Sequence, residues 1–254
     1  MALVDPIPEV PAATVDVDGE RALVMADYHA GIEAALRGEG VEIDSNASGR
    51  RDRFRALVER TDPDRVVFLG DLTHRIGGPE RAEREELDEL LSAVPDAVSV
   101  TVVKGNHDGD IEATVDAEVT DAGGVRIGDV GFAHGHTWPA PAVLEADVVC
   151  VGHEHPQVRL EDPVGGRRIE RVWLRGALVA DAFEEGDDAG SDDEDVARID
   201  GELVVFPAFN DVAGGTWINV EGQSFLAPFL PEGLTNGQAY LLDGARLGAY
   251  RRVS

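Results

Sequence analysis

Seven histidines carry the chemistry of this sequence: His29, His74, His107, His134, His136, His153 and His155. Asp27, Asp71, Asn106 and Asp108 stand among them. They gather in five short clusters, DYH, GDLTH, GNHD, HGH and GHEH, and no histidine lies beyond residue 155. Random scatter would place some in helical stretches or in the C-terminal third. Imidazole and carboxylate together suit zinc, manganese, iron, nickel or cobalt. Asp27-x-His29 and His153-x-His155 each set two groups two residues apart, on one side of an extended backbone. Such a pair can hold one ion, or be split between two neighbouring ions after a turn. The candidates outnumber the ligands of one tetrahedral site. They match a two-metal site, where ions ~3.5–4 Å apart share a bridging carboxylate.

The elements that must position these groups can be read from the apolar runs. Residues 21–26 (RALVMA), 65–69 (RVVFL), 98–103 (VSVTVV), 130–133 and 147–151 (DVVCV) read as short buried strands. Each leads into one of the clusters. Helical stretches are expected over 31–37 and 48–60, and a further helix opens at Pro79. Strands alternating with helices predict an α/β fold. Ligands at strand ends suit the crevice of an open α/β sheet. After Pro156 the helical pattern fades. Stretches 167–174, 176–180, 203–206, 238–242 and 246–252 read as strands of a second sheet. No linker separates two autonomous halves, so residues 1–254 are expected to form one domain. Residues 184–195 (EEGDDAGSDDED) hold 8 acidic residues in 12 and are expected to be a solvated, mobile loop. A calcium loop is the alternative, but the EF-hand spacing is missing.

Composition sets the outer limits. With 22 basic and 50 acidic residues the formal net charge is −28. That excludes a basic surface for nucleic acid and a polybasic membrane patch. One cysteine, Cys150, excludes a disulfide framework and a cysteine zinc site. No apolar run reaches the ~18 residues of a membrane span, and the start has no leader pattern. A cytoplasmic protein without membrane contact is expected. Lys104 is the only lysine. Self-repulsion this strong is screened at molar salt, where the Debye length is roughly 3 Å. The chain therefore reads as the protein of a salt-accumulating halophile.

The ordered set DYH, GD, GNHD, HGH and GHEH, between Asp27 and His155, resembles the calcineurin-like metallophosphoesterases. The fuller GDLTH, GNHDG, HGHTWP and GHEHP, with FPAFNDVAGGTWIN downstream, resemble an archaeal branch described as ICC-like or SbcD-related phosphoesterases. The resemblance implies a four-layer fold of two facing mixed β-sheets flanked by helices. It implies two divalent metal ions, manganese first among them. Asp27, His29 and His155 would hold one ion and Asn106, His134 and His153 the other. Asp71 would bridge them. His107 would contact the scissile phosphate or protonate the leaving oxygen, and Asp108 would orient His107 through its other ring nitrogen. The implied reaction is hydrolysis of a phosphoester, with a phosphodiester favoured, by a hydroxide bridging the metals. A nucleic-acid substrate is left open.

Other residues carry two readings. His136 reads as a neighbour of the ligands or a substrate contact. His74 reads as a substrate contact or a turn cap. Lys104 could meet phosphate, though a strand-end salt bridge is the simpler reading. Cys150 and the tryptophans Trp138 and Trp217 read as packing residues, with base stacking as the alternative for the indoles. Tyr28 has no catalytic reading. The rival functions are a phosphomonoesterase, a scaffold that kept the fold, and a hydrolase of non-phosphate esters. A lost ligand would favour the scaffold, and none is lost.

Overall fold

The computed structural model describes residues 3–162, 164–184 and 200–254. The acidic stretch beyond residue 184 lies outside them. The elements run β1 (Val4–Pro6), β2 (Ala12–Val17), β3 (Glu20–Met25), α1 (Ile32–Gly38), α2 (Ala47–Thr61), β4 (Arg65–Phe68), α3 (Arg81–Leu91), β5 (Ser99–Val103), β6 (Glu118–Thr120), β7 (Val125–Ile127) and β8 (Val130–Ala133). They continue as α4 (Pro141–Leu144), β9 (Val148–Val151), β10 (Gln157–Glu161), β11 (Arg167–Leu178), α5 (Asp181–Glu184), β12 (Glu202–Val205), β13 (Leu234–Leu241) and β14 (Arg246–Ala249).

Two mixed sheets result. The first has the order β1-β2-β3-β4-β5-β6, with β3 to β6 parallel. The second has the order β14-β13-β11-β12-β9-β8-β7, with β10 paired to β11. In it β8, β9 and β12 run parallel. Strand alternation explains the layering. Ala22, Val24 and Ala26 face the second sheet, where they share a core with Phe132, Cys150, Trp173 and Phe206. Leu23 and Met25, from the same strand, face Phe54 and Leu57 of α2 and Leu87 and Leu90 of α3. This is the expected α/β sandwich, with one difference. Among the described residues, the outer face of the second sheet carries the single-turn helices α4 and α5, together with Ile218, Phe229 and Leu230 from the chain before β13.

Helix α2 buries Arg50, Phe54, Leu57, Val58 and Thr61 at helical spacing, so its core stripe contains a guanidinium. Arg50 is paired at 2.7 Å with Glu33 and at 2.6 Å with Glu86. Glu86 also accepts the Gly31 N–H at 2.8 Å. The cluster thus ties the turn after His29 to α2 and α3. Burial would raise the Glu33 carboxyl, but Arg50 holds it below its usual value. A depressed carboxyl stabilises the fold at pH above about 4.5 and is lost as pH falls. Replacing Arg50 by methionine leaves two buried carboxylates with no cation. Urea melts at pH 7 should show the variant destabilised by about 3–5 kcal/mol.

Candidate metal centre

The chain reverses sharply at the C-terminal ends of β3, β4, β5, β8 and β9, and there it presents its ligand candidates. Asp27, His29, Asp71, His153 and His155 all have positive φ, between 44° and 65°. Such conformations cost of order 1 kcal/mol or more each and persist where surrounding structure enforces them. Two glycines make room for the turns. A Cβ on Gly105 would stand 2.2 Å from Asp71 Oδ1, and one on Gly70 would stand 2.4 Å from His134 Nδ1. Only a residue without a side chain lets these strand ends close on each other.

Three groups result, one of them His29, His74 and His107 at the rim and the other two adjoining beneath it. Asp27, His29 and His155 offer ligand atoms within 4.8 Å of one another, and so do Asp71, His134 and His153. Asn106 joins the second group, with its Oδ1 3.2 Å from His134 Nε2. Asp71 lies between the groups: Oδ1 is 3.4 Å from His134 Nε2 and Oδ2 is 3.9 Å from His29 Nε2. Asp27, Asp71 and His134 are almost wholly buried. Every residue expected to bind metal is therefore in one place, drawn from both sheets.

The proton arrangement tests whether cations fit. His29 Nδ1 lies 3.3 Å from the Thr73 carbonyl, and His155 Nδ1 lies 2.7 Å from the Gly214 carbonyl. Each Nδ1 must donate there, so each Nε2 is left with a lone pair. Yet the two Nε2 atoms face each other at 3.4 Å. His134 repeats the pattern. Its Nδ1 donates to the Leu69 carbonyl at 2.6 Å, and its Nε2 faces the oxygens of Asn106 and Asp71. With neutral rings these contacts set acceptor against acceptor, and a cation, or in its absence a ring proton, resolves them. The oxygen and imidazole donors suit divalent transition ions, so the residues fit a two-metal centre.

The electrostatics agree. Burial would push the His134 ring down, but Asp71 and Asp27 raise it to about 9. Burial would raise the Asp71 and Asp27 carboxyls, but the histidines beside them hold both below the usual range. Burial lowers His29 and His153 to about 4, which keeps these rings neutral.

His107 lies at the rim. Its Nε2 is 3.8 Å from Asp71 Oδ2, and its ring is stacked at 5.7 Å on His74. The expected orientation by Asp108 is not found. His107 Nδ1 pairs instead with the backbone carbonyl of His74. Asp108 accepts the N–H groups of Gly105 at 2.9 Å and Thr73 at 3.2 Å. The two loops are cross-tied further by Thr73 Oγ1, which donates to the His107 carbonyl at 2.8 Å. Asp108 is too deeply buried among these amides to reach the ring. It positions His107 through the backbone, and burial raises its carboxyl to about 6.

The remaining candidates also have places. Among the described residues, His74 Nδ1 and His136 Nδ1 are buried with no hydrogen-bond partner. His136 lies 5.3 Å from His134 and 6.1 Å from His153, ring to ring. Lys104 pairs with Glu112, the salt bridge of the simpler reading. Cys150 is buried in the core between the sheets, and Trp138 packs edge-on to Phe183. Three supports had no assigned role in the sequence. Asn210 Nδ2 donates to the Tyr28 carbonyl at 2.8 Å and so holds the Asp27–His29 turn. Glu83 accepts the N–H of His74 and of Arg75. Glu154 accepts those of Leu226 and Ala227. Asn210 falls within the FPAFND stretch, which carried the only signal for it.

Comparison with known proteins bears on this centre. A family model described as calcineurin-like phosphoesterase matches residues 20–136, the span from β3 to His136. No curated protein matches the chain in sequence. Among solved structures, the Pseudomonas putida nuclease MPE is similar in fold. It is 19% identical with a TM-score of 0.57, over 96% of this chain and 100% of that one. Among the described residues, no helix is long and apolar enough to cross a membrane.

Proposed function

We propose that this chain, a metal-dependent phosphoester hydrolase of the calcineurin-like metallophosphoesterase superfamily, cleaves phosphodiesters with two manganese ions. The observation that carries this reading is the pair of ligand groups meeting at Asp71 with the His107 ring beside them. Asp27, His29 and His155 would hold one ion, Asn106, His134 and His153 the other, and Asp71 both. Bound there, two divalent ions supply an activated water near neutral pH and neutralise charge on the phosphoryl oxygens.

The side chains account for the rest. The carbonyl of His74 fixes Nδ1 of His107 as the donor, so Nε2 is the atom that can carry a proton toward the leaving oxygen. Thr73 and Asp108 hold that carbonyl in place from both loops. A diester carries one negative charge where a monoester carries up to two. In a chain of net charge −28, the diester meets less repulsion on approach. The nuclease with a similar fold supports the same choice. Ligands come from both sheets, so residues 1–254 act as one unit in this reading.

The test is hydrolysis of bis-p-nitrophenyl phosphate beside p-nitrophenyl phosphate, by metal-stripped protein in molar KCl with and without Mn²⁺. Manganese-dependent cleavage of the diester is expected. A His107→Ala variant should lower its kcat by about 10²-fold. Cleavage of the monoester alone would replace this reading with a phosphatase.

A further inference from the structure

One edge of β10 leads away from the metal centre. The chain at residues 214–219 lies along that edge like an added strand. Gln157 N–H donates to the Thr216 carbonyl, and Ile218 N–H to the Gln157 carbonyl, both at 2.9 Å. Asn219 closes the far end, donating at 2.8 Å to the Arg159 carbonyl and accepting the Arg159 N–H at 2.9 Å. At the near end His155 Nδ1 is bound to the Gly214 carbonyl. The register is set by the pairing of Gln157 with Trp217.

This register decides which side chains share a face. Val158 and Ile218 point into the core. Gln157, Arg159 and Trp217 are partly exposed, on the opposite face, and His155 lies in the turn that precedes them. On the other side of β10, Ile169 pairs with Arg159 and is 50% exposed. The Arg159 guanidinium lies 5.8 Å from the centre of the Trp217 ring. Among the described residues, no carboxylate pairs with Arg159, although the chain holds 50 acidic residues. Gly214 and Gly215 lead from the carbonyl that His155 Nδ1 holds to Trp217, and the Gln157 side chain lies over Gly215. A Cβ on Gly215 would stand 2.1 Å from the His155 carbonyl. The indole therefore follows closely along the chain from a backbone group bound to a metal ligand.

We propose that Trp217, backed by Arg159, is a base-stacking subsite that takes the nucleobase flanking the scissile phosphate. The inference rests on the phosphodiesterase reading and specifies its substrate class as a single-stranded nucleic acid or nucleotide diester. Every base offers a π-face, so an indole platform grips a strand without reading its sequence. Arg159 adds a cation that can lie over the base or meet the neighbouring phosphate. Stacking is also nearly indifferent to salt, whereas phosphate pairing weakens steeply as salt rises. An acidic chain without a basic stripe gains most from the contact that salt does not screen.

The test separates the subsite from the chemistry. Binding of a single-stranded oligodeoxynucleotide to the full chain in EDTA is followed by indole fluorescence and by anisotropy of a labelled strand. Hydrolysis of bis-p-nitrophenyl phosphate with Mn²⁺ is measured in parallel. Trp217→Ala should weaken strand binding by roughly 5- to 150-fold and abolish most of the quenching. Trp217→Phe should recover most of the affinity. Both variants should melt as the parent does. Unchanged strand affinity in Trp217→Ala overturns the subsite, and so does a loss that Trp217→Phe does not recover. Failure of the parent to cleave either diester overturns the phosphodiesterase reading instead, and the binding data still judge the platform.

Discussion

Removing divalent metal should abolish hydrolysis and lower the melting temperature by about 10–20 °C. The candidate ligand groups are already assembled, with His29 and His155 Nε2 3.4 Å apart and His134 Nε2 3.2 Å from Asn106 Oδ1. A cation therefore binds the folded state and has no comparable site in the unfolded chain. An ion at a hundred times its Kd stabilises by about 2.7 kcal/mol, and two ions by about twice that. For a chain of this size, 1 kcal/mol moves the midpoint by about 2–4 °C. The effect also has a sign in pH. His134 rises to about 9 in the metal-free fold, so its proton stabilises fully below the ordinary value of 6.5. That contribution fades as pH climbs through 9, while the metal gains affinity because it no longer competes with the proton. The metal-induced shift should thus be larger at pH 9 than at pH 6.5. Calorimetry of EDTA-treated and Mn²⁺-loaded protein at the two values measures it. A shift that shrinks with pH would exclude His134 as a ligand.

The strands that carry the ligands were legible, and the reasons are physical. Residues 21–26, 65–69, 98–103, 130–133 and 147–151 lie within a residue or so of β3, β4, β5, β8 and β9. They are packed on both faces, so they read as unbroken apolar runs. Strands β1, β2, β6, β7 and β10 went unread, β2 because Asp16 interrupts its apolar run. Three of them have only three residues, and β10 buries only Val158. The stretches 167–174 and 176–180 are one strand, β11, with a register shift between Arg175 and Ala177. At its Gly176, a Cβ would stand 2.5 Å from the Thr235 carbonyl, so the glycine that reads as a break is a point of close approach. The ligand types were visible because histidine and aspartate announce themselves. The partner of His107 was not, because a backbone carbonyl has no letter in the sequence. Nor could the sequence show that Trp217 lies beside Gln157, two residues from His155, since that depends on a pairing between residues 157 and 217.

Asp71→Asn should reduce diester hydrolysis by about 10⁴-fold, more than any other single substitution proposed for this protein. Removing a hydrogen-bond partner of a metal ligand costs about 10–100-fold. Asp71 does more than that. Its oxygens lie toward His134 on one side and His29 on the other, so one carboxylate serves both groups. Its Oδ1 also accepts the His107 N–H at 2.9 Å, which ties the candidate metal centre to the loop bearing His107. Asparagine preserves the shape but removes the charge and turns one acceptor into a donor. That donor would face His134 or His29, where the acceptor arrangement calls for a cation. The substitution therefore opposes both ions at once. It should keep the fold, because the volume is unchanged and the Oδ1 contact to His107 can be retained. The readouts are metal content per chain and kcat with Mn²⁺ in excess. We expect fewer than two ions per chain and a kcat that excess metal does not restore. Full occupancy with near-normal kcat would remove Asp71 from the bridge and leave two independent sites.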